Sequence, residues 1–516
     1  MTLPPDGSGR REFLKAGAAL SLAPGLGRTA AEAIPAPAVA DRLDQGPFGI
    51  EQDEGWYTVA TTTASPAPVR NFGLGLVGYT WEENGPALAV RRGETRLEDA
   101  VERLAALPLV DVLYIRCDWR DVQTRPGRLD LAPVWAVTLD AARRHGLRVA
   151  FRVQLSNPEP QPARLALPDF LQAAVPLATL RRRGGRPGPR RVEPRYDHPA
   201  FRRAFGELVD LLAAELDGNP LVEFADLMMY GFWGEGHTSD WESPFADPAL
   251  AQRTFLDLTQ RQLDAWKRVP LAVNTQPDIS GVGNAAVLDL ALRGGCWLRS
   301  DSVILDEPIQ IEQLSSRPPW LAVVMEDGYH RHYRTDRESF RVDAAGVDVI
   351  ESGMRHALDL GANYWSLWTE AESLARYDEA HPGAFAALRQ RLGHRVRPSW
   401  VWQRKRGGGT ELVVALCNDG VAGVPGVLRV FAETTDGRVR VGGGLDPGHP
   451  EAGRLRQASL RLPEGLEGQT VRLRGEIETR GVRRPLRWAC AQPLGPDGSL
   501  DVALIRSDDP RWRKGV

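Results

Sequence analysis

The chain has 516 residues, 42% of them hydrophobic, and a formal net charge of −3. That length exceeds one ordinary domain but accommodates a large barrel with a smaller module, and the apolar content supports a full core. The near-neutral balance leaves no polyelectrolyte surface, which argues against nucleic acid as a partner.

The N-terminal stretch SGRREFLKAGAALSLAPGLG sets Arg10 and Arg11 ahead of Phe13, Leu14 and Lys15 and a modest Ala/Leu/Gly run. It resembles the bacterial twin-arginine export signal, which implies a periplasmic or extracellular protein. Ala31–Ala33 and Ala38–Ala40 are Ala-x-Ala candidates for cleavage. The run is too short and too weakly apolar to stay in a bilayer, and no later segment reaches spanning length, so stable membrane insertion is not expected. Residues 1–40 are read as signal and 41–70 as a Pro/Ala/Thr-rich lead-in.

A regular alternation follows. NFGLGLVGYTW (71–81) reads as a strand, and Leu97, Val101 and Leu104 mark a helix face at 3.6 spacing. VDVLYIRCDW (110–119) is the second strand, and its helix carries Trp135, Leu139 and Ala142 and stops at Gly146. LRVAFRVQL (147–155) is the third. A Pro- and Arg-rich insertion comes next, whose basic run RRRGGRPGPRR (181–191) suits a solvated loop. A helix with Phe201, Phe205, Leu208, Leu212 and Leu216 on one face leads to the fourth strand, FADLMMYGF (224–232).

Strands five to eight are PLAVNTQ (270–276), GCWLRSD (295–301), WLAVVMED (320–327) and ANYWSLW (362–368). Helices are expected near 249–266, 284–292, 348–359 and 383–391. Eight strands alternating with helices specify an α/β fold, a closed (β/α)8 TIM barrel over residues 71–396. An open doubly wound sheet is the structural alternative, but GLGLVG (73–78) opens no helix and makes a poor phosphate loop. From 397 to 516 short alternating strands are separated by Gly, Pro and Asp-Gly turns, the pattern of a small all-β sandwich of immunoglobulin type. The four cysteines, Cys117, Cys296, Cys417 and Cys490, lack C-x-x-C spacing. Cys417 and Cys490 could pair after export or stay free.

Chemistry in such a barrel sits at the carboxyl ends of the strands. Those ends offer Arg116, Asp118 and Trp119 after the second strand, Gln154 and Asn157 after the third, and Trp233, Glu235 and His237 after the fourth. Asn274 ends the fifth, Arg299 and Asp301 the sixth, Glu326, Asp327 and Tyr329 the seventh, and Trp365, Trp368 and Glu370 the eighth. Tryptophan faces stack on sugar rings, while amides and carboxylates bond hydroxyls.

The strand order and the stretches YIRCDWRDVQTRPGRLDL and YWSLW resemble the superfamily of retaining glycoside hydrolases built on (β/α)8 barrels, including bacterial members with an appended β-sandwich. The likeness spans about residues 70–395. It implies a carbohydrate substrate, no cofactor and no metal, with Glu235 as acid/base, Glu326 as nucleophile and Arg116 as the nucleophile's partner. Gly234 stands where many members have Asn before the acid/base. The remaining strand-end residues Asp118, Trp119, Gln154, Trp233, His237, Asn274, Arg299, Asp301, Tyr329 and Trp368 are then candidate sugar contacts. Trp233 is expected to shield Glu235 and raise its pKa, and Arg116 to keep Glu326 ionised. Two other readings stay open: a carbohydrate-binding barrel without chemistry, and a metal-dependent hydrolase using His237, His330 and His332 with Glu235.

Overall fold

The computed structural model describes Pro47 and residues 55–81, 89–158, 165–185, 190–238, 241–275, 283–301, 308–326, 349–367, 371–445, 455–506 and 508–509. In chain order the first strands are β1 (Tyr57–Thr61), β2 (Gly75–Trp81), β3 (Val112–Asp118) and β4 (Arg148–Gln154). A hairpin of β5 (Leu177–Leu180) and β6 (Arg191–Pro194) follows, then β7 (Val222–Asp226), β8 (Leu271–Asn274), β9 (Trp297–Ser300), β10 (Val323–Glu326) and β11 (Tyr364–Leu367). Strands β2, β3, β4, β7, β8, β9, β10 and β11 close into a parallel barrel, with β11 pairing back onto β2. The α/β barrel expected from the alternation is therefore present.

Period-two alternation divides each strand between two cores. Leu113, Ile115, Phe151, Val153, Val273, Leu298 and Met325 face the helical layer, where they meet Phe201, Phe205, Leu208 and Phe255. Val112, Tyr114, Ala150, Phe224, Ala272, Trp297, Val324 and Tyr364 fill the interior. The helix Pro199–Leu216 buries the whole expected stripe, and each fully buried large apolar side chain contributes about 1.5–3 kcal/mol. Gly146 ends the helix Pro133–His145 in the left-handed region at φ 63°, as a C-terminal cap requires. No helix among the described residues is long and apolar enough to cross a membrane.

Beyond the barrel lie β12 (Val396–Arg406), β13 (Gly409–Asn418), β14 (Val427–Thr434), β15 (Arg440–Gly444), β16 (Leu455–Leu462), β17 (Thr470–Thr479), β18 (Val482–Leu486) and β19 (Leu500–Ala503). They make a four-stranded sheet, β1-β12-β13-β16, and a five-stranded one, β15-β14-β17-β18 with β19 also on β17. Part of the lead-in thus returns as β1, an antiparallel edge strand beside β12. These sheets lie at the amino ends of the barrel strands. Asn71 exchanges two hydrogen bonds with the Arg487 backbone, and Arg480 donates to the carbonyls of Trp266 and Gly294, ahead of β8 and β9. All four cysteines are free, so Cys417 and Cys490 are not bridged.

Of the basic run expected as a solvated loop, Arg181, Arg183 and Arg190 are exposed, while Arg182 and Arg191 are half-buried. Arg182 and Arg191 lie over the Trp241 ring at 5.7 and 5.4 Å, and Arg183 Nε donates to the Trp241 carbonyl at 2.7 Å. The Glu242 N–H donates to the Arg181 carbonyl at 2.9 Å. The inserted hairpin is thereby fastened to the segment that follows the fourth barrel strand.

Candidate active site

Alternation sends Tyr114 and Arg116 of β3, Arg152 and Gln154 of β4, Asp226 of β7, Asn274 of β8, Arg299 of β9 and Glu326 of β10 into the upper barrel, all buried. Arg299 is the hub, with its side chain 0% exposed. Its Nε donates to Asp301 Oδ1 at 2.6 Å, and its Nη2 to Glu326 Oε2 at 2.5 Å and to the Tyr79 hydroxyl at 2.8 Å. Arg152 bonds Asp226 at 3.1 Å, Asp301 at 3.3 Å and Glu235 Oε1 at 3.1 Å. The Tyr114 hydroxyl donates to Asp226 Oδ2 at 2.5 Å, and Asn274 donates to Asp301. Arg116 Nη1 reaches across to both glutamates, 3.4 Å from Glu235 Oε1 and 3.6 Å from Glu326 Oε1.

Glu235 arrives on a tight loop. The Phe232 N–H bonds the His237 carbonyl at 2.8 Å and the Gly236 N–H the Tyr230 carbonyl at 2.9 Å. Gly231 has φ 81°, and a Cβ there would stand 2.0 Å from the His237 carbonyl oxygen, so only glycine fits. Gly234 also has a left-handed φ, 71°, and packs on Arg152 and Gln154, which strains any side chain placed there. Trp233, between them, is itself left-handed at φ 54°, a conformation that costs a non-glycine residue about 1–3 kcal/mol. Its carbonyl is held by Arg152 Nη1 at 3.3 Å. The result is a buried Glu235, its side chain 10% exposed, with His237 Nε2 3.1 Å from Oε2.

Three guanidiniums (Arg116, Arg152, Arg299) face four carboxylates (Asp226, Glu235, Asp301, Glu326), one negative charge in excess. Burial of that excess favours one retained proton. Burial, then the Asp301 charge, pushes Glu326 well above the usual carboxylate range and outweighs Arg299 and Arg116. Glu235 is raised by the same two causes in the same order. Asp301 resists burial because Arg152 and Arg299 hold it well below its ordinary value. This departs from the expectation that Arg116 keeps Glu326 ionised, because burial and the Asp301 charge outweigh Arg299 and Arg116 there. One oxygen from each of Glu235, Asp301 and Glu326 lies within 4.8 Å of the others, spacing that three carboxylates could offer to a cation. The same three carboxylates already pair with three guanidiniums, so a divalent ion would have to displace or face those charges, and the donor set does not suit a metal.

Beside the loop lies Glu193, on β6 and 1% exposed, with its carboxyl accepting from the Ser156 hydroxyl and from the Tyr196 hydroxyl at 2.6 Å. Burial pushes it up to about 7 from an ordinary 4.5, despite those hydrogen bonds and the neighbouring His237 and Arg191. A carboxyl with a raised folded-state pKa gives its full contribution to stability below its unfolded pKa and loses it as pH climbs through the folded value. Wild type should therefore lose about 3 kcal/mol relative to Glu193→Gln between pH 4.5 and roughly 7.5, read from urea unfolding across that window. A pH-independent difference between the two proteins would contradict this.

The structure brings together Glu235, Glu326, Arg116, Gln154, Asn274, Arg299 and Asp301, with Trp233 and His237 on the loop above. Asp118 sits beside Gln154 on the neighbouring strand and accepts from Asn157 at 3.1 Å. Trp119 is a correction. Its ring packs edge-on to Phe201, its indole donates to Gln123 at 2.9 Å, and it belongs to the helical-layer core on the same alternating face as Leu113, Ile115 and Cys117. Arg299 is also corrected, from sugar contact to fully buried support of Glu326 and Asp301. Tyr329, Trp368, Asp327, His330 and His332 lie outside the described residues. Sequence reasoning missed Arg152, Asp226, Tyr79 and Glu193. Arg152 was within reach, since it shares the inward face of LRVAFRVQL with Gln154.

No family model matches the chain, and no curated protein does. Among solved structures, it has a likeness to an exo-β-1,4-mannosidase from Opitutaceae bacterium strain TAV5, at 14% identity, over 64% of this chain and 58% of that one, with TM-score 0.36. The chain thus spans just over half the length of that protein. A glycoside hydrolase family 5 enzyme from Prevotella bryantii B14 gives 11% identity over 63% of this chain and 98% of that one, with TM-score 0.36. Endo-glycoceramidase II from a Rhodococcus species, in its lactosyl-enzyme intermediate, gives 13% over 79% and 100%, with TM-score 0.34.

Proposed function

We propose that the protein is an exported glycoside hydrolase that cleaves O-glycosidic bonds of an oligo- or polysaccharide by double displacement with retention. The observation that carries this reading is the Glu235–Glu326 pair, whose nearest ligand-bearing oxygens stand within 4.8 Å across the mouth and share Arg116. Retaining hydrolysis uses carboxyls about 5–5.5 Å apart, whereas an inverting site needs about 6.5–9.5 Å to admit a water.

Glu326 attacks the anomeric carbon while Glu235 gives its proton to the departing oxygen. Water then attacks the glycosyl-enzyme, with Glu235 taking the water's proton and Glu326 leaving. One proton serves both carboxyls. Positive charge developing at the anomeric carbon favours ionised Glu326 and protonated Glu235. The pH–rate profile then belongs to the coupled group rather than to either residue.

A panel of chromogenic aryl glycosides tests the activity. Turnover of at least one, unchanged by a chelator, is expected. The upward shift of Glu326, the group that must be ionised to attack, favours the second reading, a carbohydrate-binding barrel without chemistry, and sugar binding with no turnover on any panel member would establish that instead.

Twin-arginine export, residues 71–396 as the catalytic unit and the two C-terminal sheets as an immunoglobulin-like sandwich over 397–516 complete the proposal. Changing Arg10 and Arg11 together to lysine should hold the protein in the cytoplasm, as followed by cell fractionation. Undiminished export of that variant would refute the signal.

A further inference from the structure

We infer that Glu193, carried by the hairpin inserted after the third barrel strand, is a positioning residue for Glu235 that clamps the loop presenting it. The inference rests on the assignment of Glu235 as acid/base. Both oxygens of Glu193 are engaged by separate segments: Oε1 by the Ser156 hydroxyl just beyond β4, and Oε2 by the Tyr196 hydroxyl at 2.6 Å. The Tyr196 hydroxyl also accepts the Gly231 backbone N–H at 2.9 Å. A phenol has one proton to give, so the order runs from Gly231 to Tyr196 to Glu193, with Glu193 as the terminal acceptor.

Gly231 is where the loop must be held. It opens the turn that closes through the Phe232–His237 and Tyr230–Gly236 backbone bonds, and its close approach to the His237 carbonyl ties the two ends together. His237, at the far end, touches Glu235 Oε2 at 3.1 Å. The Tyr196 ring is itself wedged among Phe201, Tyr230 and Phe245, with centroids 5.1, 5.7 and 5.8 Å away. A buried carboxylate serving the hairpin alone would need no partner in the Glu235 loop. Here the bond sequence starts from the Gly231 amide of that loop, in a turn that already stores the strain of Trp233.

Backbone amide exchange and kinetics on Tyr196→Phe and Glu193→Gln test the clamp. Tyr196→Phe removes the acceptor of the Gly231 N–H, so exchange across residues 230–237 should rise about tenfold or more, with β3 and β9 as protected as in wild type. Glu193→Gln keeps the shape and should give a smaller rise in the same segment. On glycosides that the wild type turns over, both variants should lower kcat by about tenfold for poor leaving groups, with KM within about twofold and activated aryl leaving groups spared, as loss of aligned acid catalysis requires. Unchanged exchange at 230–237, protection lost throughout the barrel, or equal kcat losses for good and poor leaving groups would each overturn the inference. Absence of any wild-type turnover would defeat the hydrolase reading, and the exchange measurement would still decide the clamp.

Discussion

Replacing Glu326 with alanine is expected to lower turnover of every substrate by on the order of 10⁴–10⁶-fold, because the covalent step has no substitute in the site. Arg299 and Arg116 would remain, but neither can form the glycosyl-enzyme. The loss should be as large for activated aryl glycosides as for natural linkages. KM should change far less than kcat. The variant also removes one of the four clustered carboxylates, leaving Arg299 with Asp301 and Asp226 and the mouth near charge balance. It should therefore fold, as a circular-dichroism melt would confirm. Retention of even about one-hundredth of wild-type activity would remove Glu326 from the covalent role.

Glu235→Ala has the second largest expected effect, and a different pattern. General acid assistance contributes about 10²–10⁴-fold, and it matters most where the leaving group is a poor one. Hydrolysis of natural linkages should fall by that amount, while glycosylation by activated aryl glycosides is spared and the enzyme stalls at deglycosylation for want of a base. Added azide, a small anion that needs no deprotonation, should enter the vacated space and restore turnover, giving a glycosyl azide of retained configuration. Arg116 and Arg152 line that space and would attract the anion. Full activity of the variant without azide would rule out Glu235 as acid/base.

The barrel was legible because each of its strands announces itself twice, as an apolar run and as a regular interval between helices. The fourth strand shows where that signal fails. FADLMMYGF reads as one continuous strand, but β7 ends at Asp226. Beyond it the Gln262 side chain takes over the work of a ladder, accepting the Met228 N–H at 2.8 Å and donating to the Met228 carbonyl at 3.2 Å. No local pattern reveals that substitution, because its donor comes from a later helix.

The pairing of Glu235 with Glu326 followed from strand order. The upward shift of Glu326 did not, since it sets burial and the Asp301 charge against Arg299 and Arg116, groups that no single stretch of sequence holds together. Glu193 was hidden for a related reason: its partners come from Ser156, Tyr196 and, through Tyr196, Gly231, so its role exists only once the insertion folds back over the mouth. Trp119 shows the opposite error. Its place at a strand end suggested the mouth, whereas the two-residue period that sends Leu113, Ile115 and Cys117 to the helical layer sends Trp119 there too.

The anomeric configuration of the first-formed product tests the central claim most directly. Hydrolysis of a glycoside found by the panel, followed by proton NMR from the first minutes, records the product before mutarotation scrambles it. Carboxyls as close as Glu235 and Glu326 predict the same anomer as the substrate. The opposite anomer appearing first would show direct displacement by water and contradict the glycosyl-enzyme on Glu326.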